Sequence, residues 1–576
     1  MRRLGFGVAL CAALIVGPAA ARERYDVLIR GGTIYDGSGR PGVRGDVAVK
    51  GDRIVYVGPH APGMAAKVVD ARGLAVSPGF VNMLSQAQES LLVDGKGESD
   101  LRQGVTLEVM GEGWSMGPKT PAMAKRDEAR EGDIKFPITW STLGGYLSML
   151  QTRGVSMNVT SFVGATTVRD VVLGEADVQP TPAQLARMRG LVDQAMEEGA
   201  VGVGASLIYA PSIYAKTPEL AALATEAGRC GGIYIAHIRS EGDHVLDAID
   251  ETIEIARESG APAEIYHFKV AGRDNWDKLG PAIAKIEAAR REGLRITANM
   301  YTYTAGATGL NAGMPPWVQD GGLEAWIRRL KDPAIRARVA EEMKNAHPQG
   351  WENLMGLAGA DGTLLLAFKN PKLKPLTGKT LAEVAKMRGE NPEQTAIDLV
   401  IEDGSRVGVA YFLMSQDNLR RKVALPWMSF GSDEDAEAPK GVFLLSQPHP
   451  RAYGNFDRVL AKYVRDEHVI TLPDAIRKLS ALPAANLSLR DRGRLKRGYF
   501  ADVVVFDPAT IQDHATYEKP QQFSTGVRDV LVNGRFALED GEPTGAHSGR
   551  FVHGRAWTGA PGGGCRASAK DWTWAS

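Results

Sequence analysis

The fold is decided by residues 231–272, GGIYIAHIRSEGDHVLDAIDETIEIARESGAPAEIYHFKVAG. Two short runs rich in β-branched and aromatic residues each lead into a histidine, His237 and His267, and a segment with apolar residues at helical spacing lies between them. The 30-residue spacing of the two histidines matches one strand–helix–strand unit. Because parallel strands joined in this way end at the same edge, the pattern predicts that the two side chains project side by side.

The same alternation of short apolar strands and helices extends through most of the chain. Candidate strands end near Val81, Met110, Val163, Leu207, Ala236, His267, Tyr301 and Phe430. Eight strands with crossover helices predict the α/β class and a (β/α)8 TIM-like barrel over residues 77–480. More than a hundred residues separate Tyr301 from Phe430, too many for a simple loop. An insertion at about 310–412 is therefore predicted over the face that carries the active sites of such barrels.

Both ends of the chain carry strand and turn signals. Runs such as YDVLIRGGTIYDG (25–37) and GYFADVVVFD (498–507) are rich in β-branched residues and bounded by Gly and Asp. Neither end is long enough for a sandwich alone, so residues 25–76 and 481–553 are predicted to form one small β-sandwich domain together. The Gly-rich residues 554–576 are predicted to be a flexible tail.

The first 21 residues have the features of a signal peptide. The chain begins with the positive stretch MRR, residues 4–16 form an apolar run of signal-peptide length, and residues 19–21 are alanines suited to cleavage. The sequence therefore predicts an exported protein, periplasmic or secreted, with an uncleaved anchor as the alternative. Cleavage would leave Cys230 and Cys565, and the sequence leaves open whether they pair.

The charge balance argues against two classes of partner. Lys and Arg total 68, and Asp and Glu also total 68, so the formal net charge is zero. Nucleic-acid binding and general attraction to anionic membranes both depend on a basic field. The composition, 44% hydrophobic and 24% charged, is that of an ordinary globular protein, and no segment after the signal peptide is apolar enough to predict a membrane span.

Polar side chains end four of the predicted barrel strands: Glu112, His237, His267 and Asp433. Chemistry in such barrels takes place at these strand ends. Two imidazoles and a carboxylate suit a zinc ion with an open position for water, and the metal would acidify that water and polarise a substrate carbonyl. Asp433 would take the proton of the water and return it to the leaving nitrogen. Each histidine, taken alone, also fits a hydrogen-bonded structural residue.

In these segments the chain resembles the amidohydrolase superfamily, and within it the D-aminoacylase (N-acyl-D-amino-acid deacylase) family. The similarity extends from about Tyr25 to Val552. The matching segments are SPGF, QGVTLEVMGEG, EEGAVGVGASLIYAPSIYA, AHIRSEG, YHFKVAG, GSDEDA and HPRAYGNF. The resemblance implies a β-sandwich joined to a barrel and a zinc-dependent site for hydrolysis of a C–N amide bond.

Departures from the family pattern bear on the metal. Leu84 and Gln86 stand where family members have His-x-His, and Asn82 replaces an Asp. A metal-binding Cys near the end of strand two is absent, and Glu112 is closest to its place. The resemblance therefore implies one zinc ion per chain, bound by Glu112 and the two histidines, in an arrangement similar to that of N-acetylglucosamine-6-phosphate deacetylases. Glu108, four residues earlier on the same strand face, is the alternative carboxylate.

Four further side chains are candidates for substrate binding: Lys269, Arg239, Tyr209 and Arg451. Lys269 and Arg239 each follow one of the histidines by two residues and are expected to point the same way, and Arg suits bidentate carboxylate binding. The resemblance places Tyr209 near the substrate carbonyl, where its phenol would donate to a developing oxyanion. Arg451 is expected to bind the substrate carboxylate and His449 to orient the same loop. The alternatives are a salt bridge with a neighbouring acid for Lys269 and simple packing for Tyr209.

The sequence and the resemblance together predict a zinc-dependent hydrolase of a C–N amide bond in a small molecule, an N-acyl-D-amino-acid deacylase. A dipeptidase or another small-amide hydrolase on the same scaffold is the first alternative, because fold does not fix substrate. A non-catalytic binding protein that lost its chemistry with His-x-His is the second. The acyl group, the amino-acid preference, the chirality and the oligomeric state are left open.

Overall fold

The structure is a computed structural model that describes residues 24–559 and Cys565. The predicted signal peptide at 1–21 lies outside the described residues, as does most of the predicted tail. Among the residues described, no helix combines the length and apolar character needed to cross a membrane.

Five strands begin the described chain and form the first half of a sheet domain. They are β1 (Arg24–Ile34), β2 (Val43–Lys50), β3 (Arg53–Gly58), β4 (Met64–Asp70) and β5 (Ala75–Pro78). β1 pairs antiparallel with β2, and it pairs parallel with β4 along its first half and with β5 along its second. Alternating buried and exposed residues along β1 fit a strand with one face on a core.

Strand and helix then alternate through the first seven positions of a barrel. The strands are β6 (Phe80–Asn82), β7 (Val105–Met110), β8 (Asn158–Ser161), β9 (Val163–Gly164), β10 (Gly202–Ser206), β11 (Ile233–His237), β12 (Ala263–Ile265) and β13 (Ile296–Met300). The helices are α1 (Ser90–Val93), α2 (Glu98–Leu101), α3 (Pro121–Arg130), α4 (Leu143–Arg153), α5 (Ala165–Leu173), α6 (Pro182–Glu197), α7 (Thr217–Arg229), α8 (Val245–Ser259) and α9 (Leu279–Arg291). Helix α8, the helix predicted between the two histidines, ends at Gly260, whose left-handed φ of +69° is readily adopted by glycine.

An insertion follows β13 and has a core of its own. Its strands β14 (Ala305–Gly309), β15 (Thr363–Ala367) and β16 (Gly408–Phe412) form an antiparallel sheet with β16 in the middle. Its helices are α10 (Pro316–Gln319), α11 (Leu323–Leu330), α12 (Pro333–Met343), α13 (Leu354–Ala358), α14 (Leu381–Arg388) and α15 (Pro392–Asp403). Because β14 pairs with β16 at the far end of the segment, the insertion begins at Ala305, a few residues before the predicted start.

The chain then returns to complete the barrel. The elements are α16 (Gln416–Val423), β17 (Met428–Phe430), α17 (Arg451–Arg458) with a π-helical continuation (Val459–Asp466), α18 (Leu472–Leu479) and α19 (Ala481–Asn486). β8 and β9 share one strand position, interrupted at Phe162, and all neighbouring barrel strands pair in parallel. Met83 N donates to Phe430 O at 3.1 Å, which links the first strand to the last. The predicted (β/α)8 barrel is therefore confirmed.

Four C-terminal strands complete the sheet domain: β18 (Val503–Phe506), β19 (Val527–Val532), β20 (Arg535–Glu539) and β21 (Glu542–Pro543). β18 pairs antiparallel with β5, so strands from both ends of the chain belong to one nine-stranded sheet. Residues 481–486 were predicted to belong to this domain. The structure instead packs α19 against α18, and Asn486 Nδ2 donates to Glu264 Oε2 in the barrel at 2.9 Å.

The predicted flexible tail is fixed at the points that the structure describes. Ala556 is buried, and Trp557 stacks on His553 with ring centroids 4.4 Å apart. Cys565 is disulfide-bonded to Cys230 at the end of α7, with Cα atoms 4.6 Å apart. The described part of the segment is therefore held against the barrel helices.

Candidate active site

The four polar side chains predicted from strand ends line one cavity of about 570 Å³. Glu112 follows β7, His237 ends β11, His267 follows β12 and Asp433 follows β17. Parallel strands of one barrel end at the same face, so side chains that are far apart in sequence converge there. The structure brings all four together.

Glu112, His237 and His267 form a compact group of metal-ligand type, in which one ligand atom from each residue lies within 4.8 Å of the others. Glu112 Oε1 is 3.4 Å from His237 Nδ1 and 3.0 Å from His267 Nε2, and the two imidazole rings lie at 85° with centroids 4.6 Å apart. Burial alone would raise the pKa of Glu112, but the charges and hydrogen bonds of the two histidines hold it well below its ordinary value. An ionised carboxylate therefore faces two ring nitrogens.

A buried acid behind the histidines, Glu241, fixes the orientation of His267 and lies near His237. Its Oε1 lies 3.0 Å from His267 Nδ1 and 2.6 Å from Lys269 Nζ, and its Oε2 lies 3.6 Å from His237 Nε2. Burial would raise the pKa of Glu241, but the positive charges around it outweigh that effect and lower the pKa. A carboxylate on the far nitrogen of a histidine is the arrangement that orients ligand imidazoles in metal sites. The salt-bridge alternative for Lys269 is thus realised, with Glu241 as the partner.

The carboxylate of Asp433 is held on both of its oxygens. Arg451 Nη1 lies 2.9 Å from Oδ2, and Gln86 Nε2 donates to Oδ1 at 3.2 Å. The backbone is held as well, because Asp433 N donates to Leu84 O and Arg451 Nη2 donates to Asp433 O. Asp433 has a left-handed φ of +55°, an uncommon backbone conformation that these contacts maintain. Burial raises the pKa of Asp433, and the charge of Arg451 opposes this shift.

Glu108, the alternative carboxylate, belongs to a separate hydrogen-bond network inside the barrel. Asn82 Nδ2 donates to Glu108 Oε2 and Asp100 Oδ2 at 2.9 Å each, and to Ser432 Oγ at 2.8 Å. Ser432 N donates back to Asn82 Oδ1 at 2.9 Å. Burial raises the pKa of Glu108 to about 7. Glu112, not Glu108, is therefore the acid that the structure places beside the two histidines.

The loop after β17 is positioned by His449, as the sequence analysis expected. His449 Nδ1 accepts a hydrogen bond from Arg451 N at 3.0 Å, and Nε2 lies 3.0 Å from Ala305 O. Burial and the charge of Arg451 lower the pKa of His449 well below its ordinary value, so the ring is neutral and Nε2 donates to the carbonyl. Tyr209 lines the same cavity, and its ring centroid lies 5.4 Å from that of His237.

The predicted role of Arg239 in substrate binding is contradicted by its position. Its guanidinium pairs with Glu251 at 2.8 Å and donates to the carbonyls of Ile213 and Ala215. β11 ends at His237, so the two-residue alternation that the prediction assumed stops there and the chain turns. Glu241, four residues after His237, returns to the site instead. Glu241 was not among the residues predicted from the sequence, although the acid within AHIRSEG was a visible signal.

A barrel with a group of metal-ligand type at the carboxyl ends of its strands, facing a buried aspartate, is the architecture of one class of protein, the metal-dependent barrel hydrolases. The model of the Amidohydrolase family matches residues 67–537.

Two relatives and one solved structure match nearly the whole chain. The D-aminoacylase of Alcaligenes xylosoxydans xylosoxydans is 33% identical over 92% of this chain and 98% of its own length. The N-acyl-D-aspartate deacylase of the same organism is 32% identical over 91% of this chain and 94% of its own length. The crystal structure of N-acyl-D-glutamate deacylase from Bordetella bronchiseptica, complexed with zinc and a phosphonate inhibitor, has a TM-score of 0.76 at 28% identity, covering 92% of this chain and 100% of its own.

The chain belongs to the amidohydrolase family, and it is a D-aminoacylase-like hydrolase. The alternative of a non-catalytic binding protein is accordingly set aside.

Proposed function

We propose that this protein is a zinc-dependent N-acyl-D-amino-acid deacylase that holds one zinc ion per chain. The observation that carries the proposal is the meeting of Glu112, His237 and His267 with Asp433 in one cavity. Similarity to D-aminoacylase and to deacylases of N-acyl-D-aspartate and N-acyl-D-glutamate supports acylated D-amino acids as the substrate class.

The donor set fits a zinc ion. Imidazole nitrogens and a carboxylate oxygen are ordinary zinc ligands, and three protein ligands leave one position open. Burial and the charge of Lys269 lower the pKa of His267, but Glu241 and Glu112 outweigh them and raise it to about 9. When zinc binds, the Nε2 that faces Glu112 would release its proton, while Glu241 accepts from Nδ1. Gln86, in a family histidine position, donates to Glu112 Oε2 at 2.7 Å, which supports one ion rather than two.

The chain's own residues supply the proton transfers. A bound zinc ion would polarise the amide carbonyl and acidify a water molecule. Asp433 would take a proton from the attacking water onto a carboxylate oxygen and deliver it to the leaving nitrogen. Gln86 and Arg451 keep that carboxylate in place on either oxygen. Burial raises the pKa of Tyr209, so its phenol keeps its proton and would donate to the carbonyl oxygen as negative charge develops.

The proposal is tested by metal analysis and a substrate panel. Purified wild-type protein is expected to hold about one zinc ion per chain and to hydrolyse N-acetyl-D-amino acids faster than their L-enantiomers. His267→Ala should lose both zinc and activity, because it removes one of three ligands. Glu108→Gln is the matched control: it replaces a buried acid outside the ligand group and should keep its zinc. Full zinc content in His267→Ala, or no hydrolysis of any acylated D-amino acid by the wild type, would contradict the proposal.

A dipeptidase is the second candidate, favoured by one feature of the cavity wall. Glu434, Asp435 and Glu437 line the cavity, and burial raises their pKa values to about 7, 8 and 9. Glu434 lies 3.6 Å from Arg451, whereas Asp435 and Glu437 form no ion pair within the described part of the chain. The ammonium group of a dipeptide would supply the missing cation.

Comparing glycyl-D-leucine with N-acetyl-D-leucine separates the two candidates, because the substrates differ in this ammonium group. For a dipeptidase, Asp435→Asn should lower kcat/KM for glycyl-D-leucine and leave N-acetyl-D-leucine nearly unchanged. No hydrolysis of glycyl-D-leucine by the wild type, or equal losses of kcat/KM for both substrates in Asp435→Asn, would remove the second candidate.

We also propose that the protein is exported. The Cys230–Cys565 disulfide supports this location, because disulfides persist in oxidising compartments and are rare in the cytosol. Fractionation followed by N-terminal sequencing is expected to find a mature chain that begins just after Ala21. A chain that retains its first residues in the cytosolic fraction would refute the export proposal.

A further inference from the structure

We propose that Arg406 binds a carboxylate of the substrate and thereby determines specificity. This inference rests on the proposed function, since it identifies the group by which the same site recognises its substrate. An anionic substrate group needs a cation that is not already neutralised, so the charges that line the cavity decide where it can bind.

Three Lys or Arg side chains line the cavity around Asp433: Lys269, Arg406 and Arg451. Lys269 Nζ lies 2.6 Å from Glu241 Oε1, and Arg451 Nη1 lies 2.9 Å from Asp433 Oδ2. Both of these cations are buried, and each is matched by a carboxylate of the protein itself. Their charges therefore hold site residues in place, and two of the side chains that the sequence analysis assigned to substrate binding are already neutralised.

Arg406 differs from the other two. Its side chain is exposed, and within residues 24–559 and Cys565 it forms no ion pair. Its guanidinium carbon lies 5.6 Å from the centroid of the Tyr209 ring, which is in turn 5.4 Å from the ring of His237. One tyrosine ring thus separates this guanidinium from a predicted metal ligand. A guanidinium presents a planar set of donors that fits a carboxylate with two parallel hydrogen bonds.

The backbone that carries Arg406 is fixed even though its side chain is exposed. The residue lies between α15 and β16 of the insertion, and its carbonyl accepts a hydrogen bond from Leu310 N at 2.9 Å. The next residue, Val407, is buried and has a φ of +55°, which is rare for a β-branched side chain. The insertion therefore presents the guanidinium from a defined position, which lowers the entropic cost of binding.

Arg406 also lies where two cavities meet. It lines both the cavity of about 570 Å³ that holds Asp433 and a second cavity of about 710 Å³. The same cavity wall also carries the acids Glu434, Asp435 and Glu437, which offer a carboxylate no positive charge in either protonation state. A substrate with its amide near His237 would therefore direct its carboxylate toward Arg406, and the second cavity leaves room beyond it.

The test uses N-acetyl-D-leucine and N-acetyl-D-leucinamide, which differ by a carboxylate and a neutral carboxamide. In Arg406→Gln, kcat/KM for the acid is expected to fall roughly 10- to 100-fold, mainly through KM, while the value for the carboxamide changes less than about 2-fold. Arg406→Lys keeps the charge but loses the planar fork and should give an intermediate loss for the acid. Lys369→Gln removes a cation that lines the second cavity alone and, as the matched control, should leave both substrates unchanged.

N-acetyl-D-glutamate and N-acetyl-D-glutamine decide which carboxylate is bound. If Arg406→Gln lowers kcat/KM for all the acids, Arg406 binds the α-carboxylate. If it lowers kcat/KM for N-acetyl-D-glutamate alone, Arg406 binds the side-chain carboxylate. Both results support the proposal. Equal losses of kcat/KM for N-acetyl-D-leucine and N-acetyl-D-leucinamide in Arg406→Gln, or no loss for any acid, would overturn the proposal. If the wild type hydrolyses none of these compounds, the proposed function fails. Calorimetric binding of N-acetyl-D-glutamate to wild-type and Arg406→Gln zinc-loaded protein then still decides the role of Arg406.

Discussion

At the scale of single residues, the chemistry depends on the ion pair between Asp433 and Arg451. Asp433 is 8% exposed and Arg451 is 2% exposed, and buried charges of this kind persist only when they are paired. Burial raises the pKa of Asp433 and the guanidinium opposes that rise. The basicity of Asp433 is therefore set by the balance between burial and the neighbouring charges, among which that of Arg451 has the largest effect.

Asp433→Asn is expected to keep zinc and lower kcat by a factor on the order of 10² to 10⁴, because the amide cannot accept and return a proton. Zinc content and steady-state kinetics measured on the same preparation check this. Glu434→Gln changes the adjacent acid and is the control that should retain most of the activity. Wild-type turnover in Asp433→Asn would show that another group moves the proton.

Arg451→Gln is expected to move the acidic limb of the kcat/KM profile to higher pH. Removing the cation takes away the largest charge effect that opposes burial, so the pKa of Asp433 rises further and its basic form exists only at higher pH. Arg451→Lys retains the charge and should leave the limb near its wild-type position. Identical pH profiles for wild type and Arg451→Gln, in a variant that still binds zinc, would contradict this account.

At the scale of secondary-structure elements, the loop after β11 is held by the insertion. Glu352, between α12 and α13, accepts hydrogen bonds from Glu241 N at 3.0 Å and from Ser240 Oγ at 3.2 Å. Burial, together with the nearby Glu241, raises the pKa of Glu352 to about 8. The insertion therefore acts on His267, the histidine that follows β12, through Glu241, the acid that orients it.

Glu352→Gln is expected to flatten the dependence of thermal stability on pH. The folded-state pKa is above the ordinary value of 4.5, so this group contributes stability that is complete below about pH 4.5 and lost as pH rises through about 8. Glutamine does not titrate, so melting temperatures of the variant should change less between pH 5 and pH 8 than those of the wild type. Glu341→Gln, an exposed position on α12, is the control. If the melting temperatures of Glu352→Gln and wild type change equally with pH, the raised pKa of Glu352 is refuted.

The elements themselves were largely predictable, and the turns between them were not. The alternation of apolar strands and helices was enough to place His237 and His267 at neighbouring strand ends. It failed for Arg239, because strand periodicity does not say where a strand stops. Glu241 enters the site through a turn whose path is fixed by Glu352, more than a hundred residues later in the sequence. Long-range contacts of this kind produce no local sequence pattern from which the path of a turn could be predicted.

At the scale of the whole molecule, the Cys230–Cys565 disulfide ties the C-terminal segment to the barrel across a sequence separation of 335 residues. A cross-link over such a long segment restricts the unfolded chain more than the folded one, and its removal typically costs about 2–4 kcal/mol. Neither cysteine lines the catalytic cavity, so the bond has no direct contact with the substrate site.

Cys230→Ser is therefore expected to lower the melting temperature while leaving kcat and zinc content near their wild-type values. Wild-type protein treated with dithiothreitol should melt at the same temperature as the variant, and the Cys230→Ser/Cys565→Ser double variant should be insensitive to the reductant. A melting temperature unaffected by both treatments would mean that the bond adds no stability.

The pairing of β5 with β18 also has a consequence for biogenesis. A ribosome delivers β1–β5 first, but the strand that covers the edge of β5 emerges only after the entire barrel has been made. Until then the nascent amino-terminal sheet exposes an unpaired edge that other chains can join. Translation products that stop short of Val503 should consequently require chaperones and tend to aggregate, even though they contain every residue of the catalytic cavity.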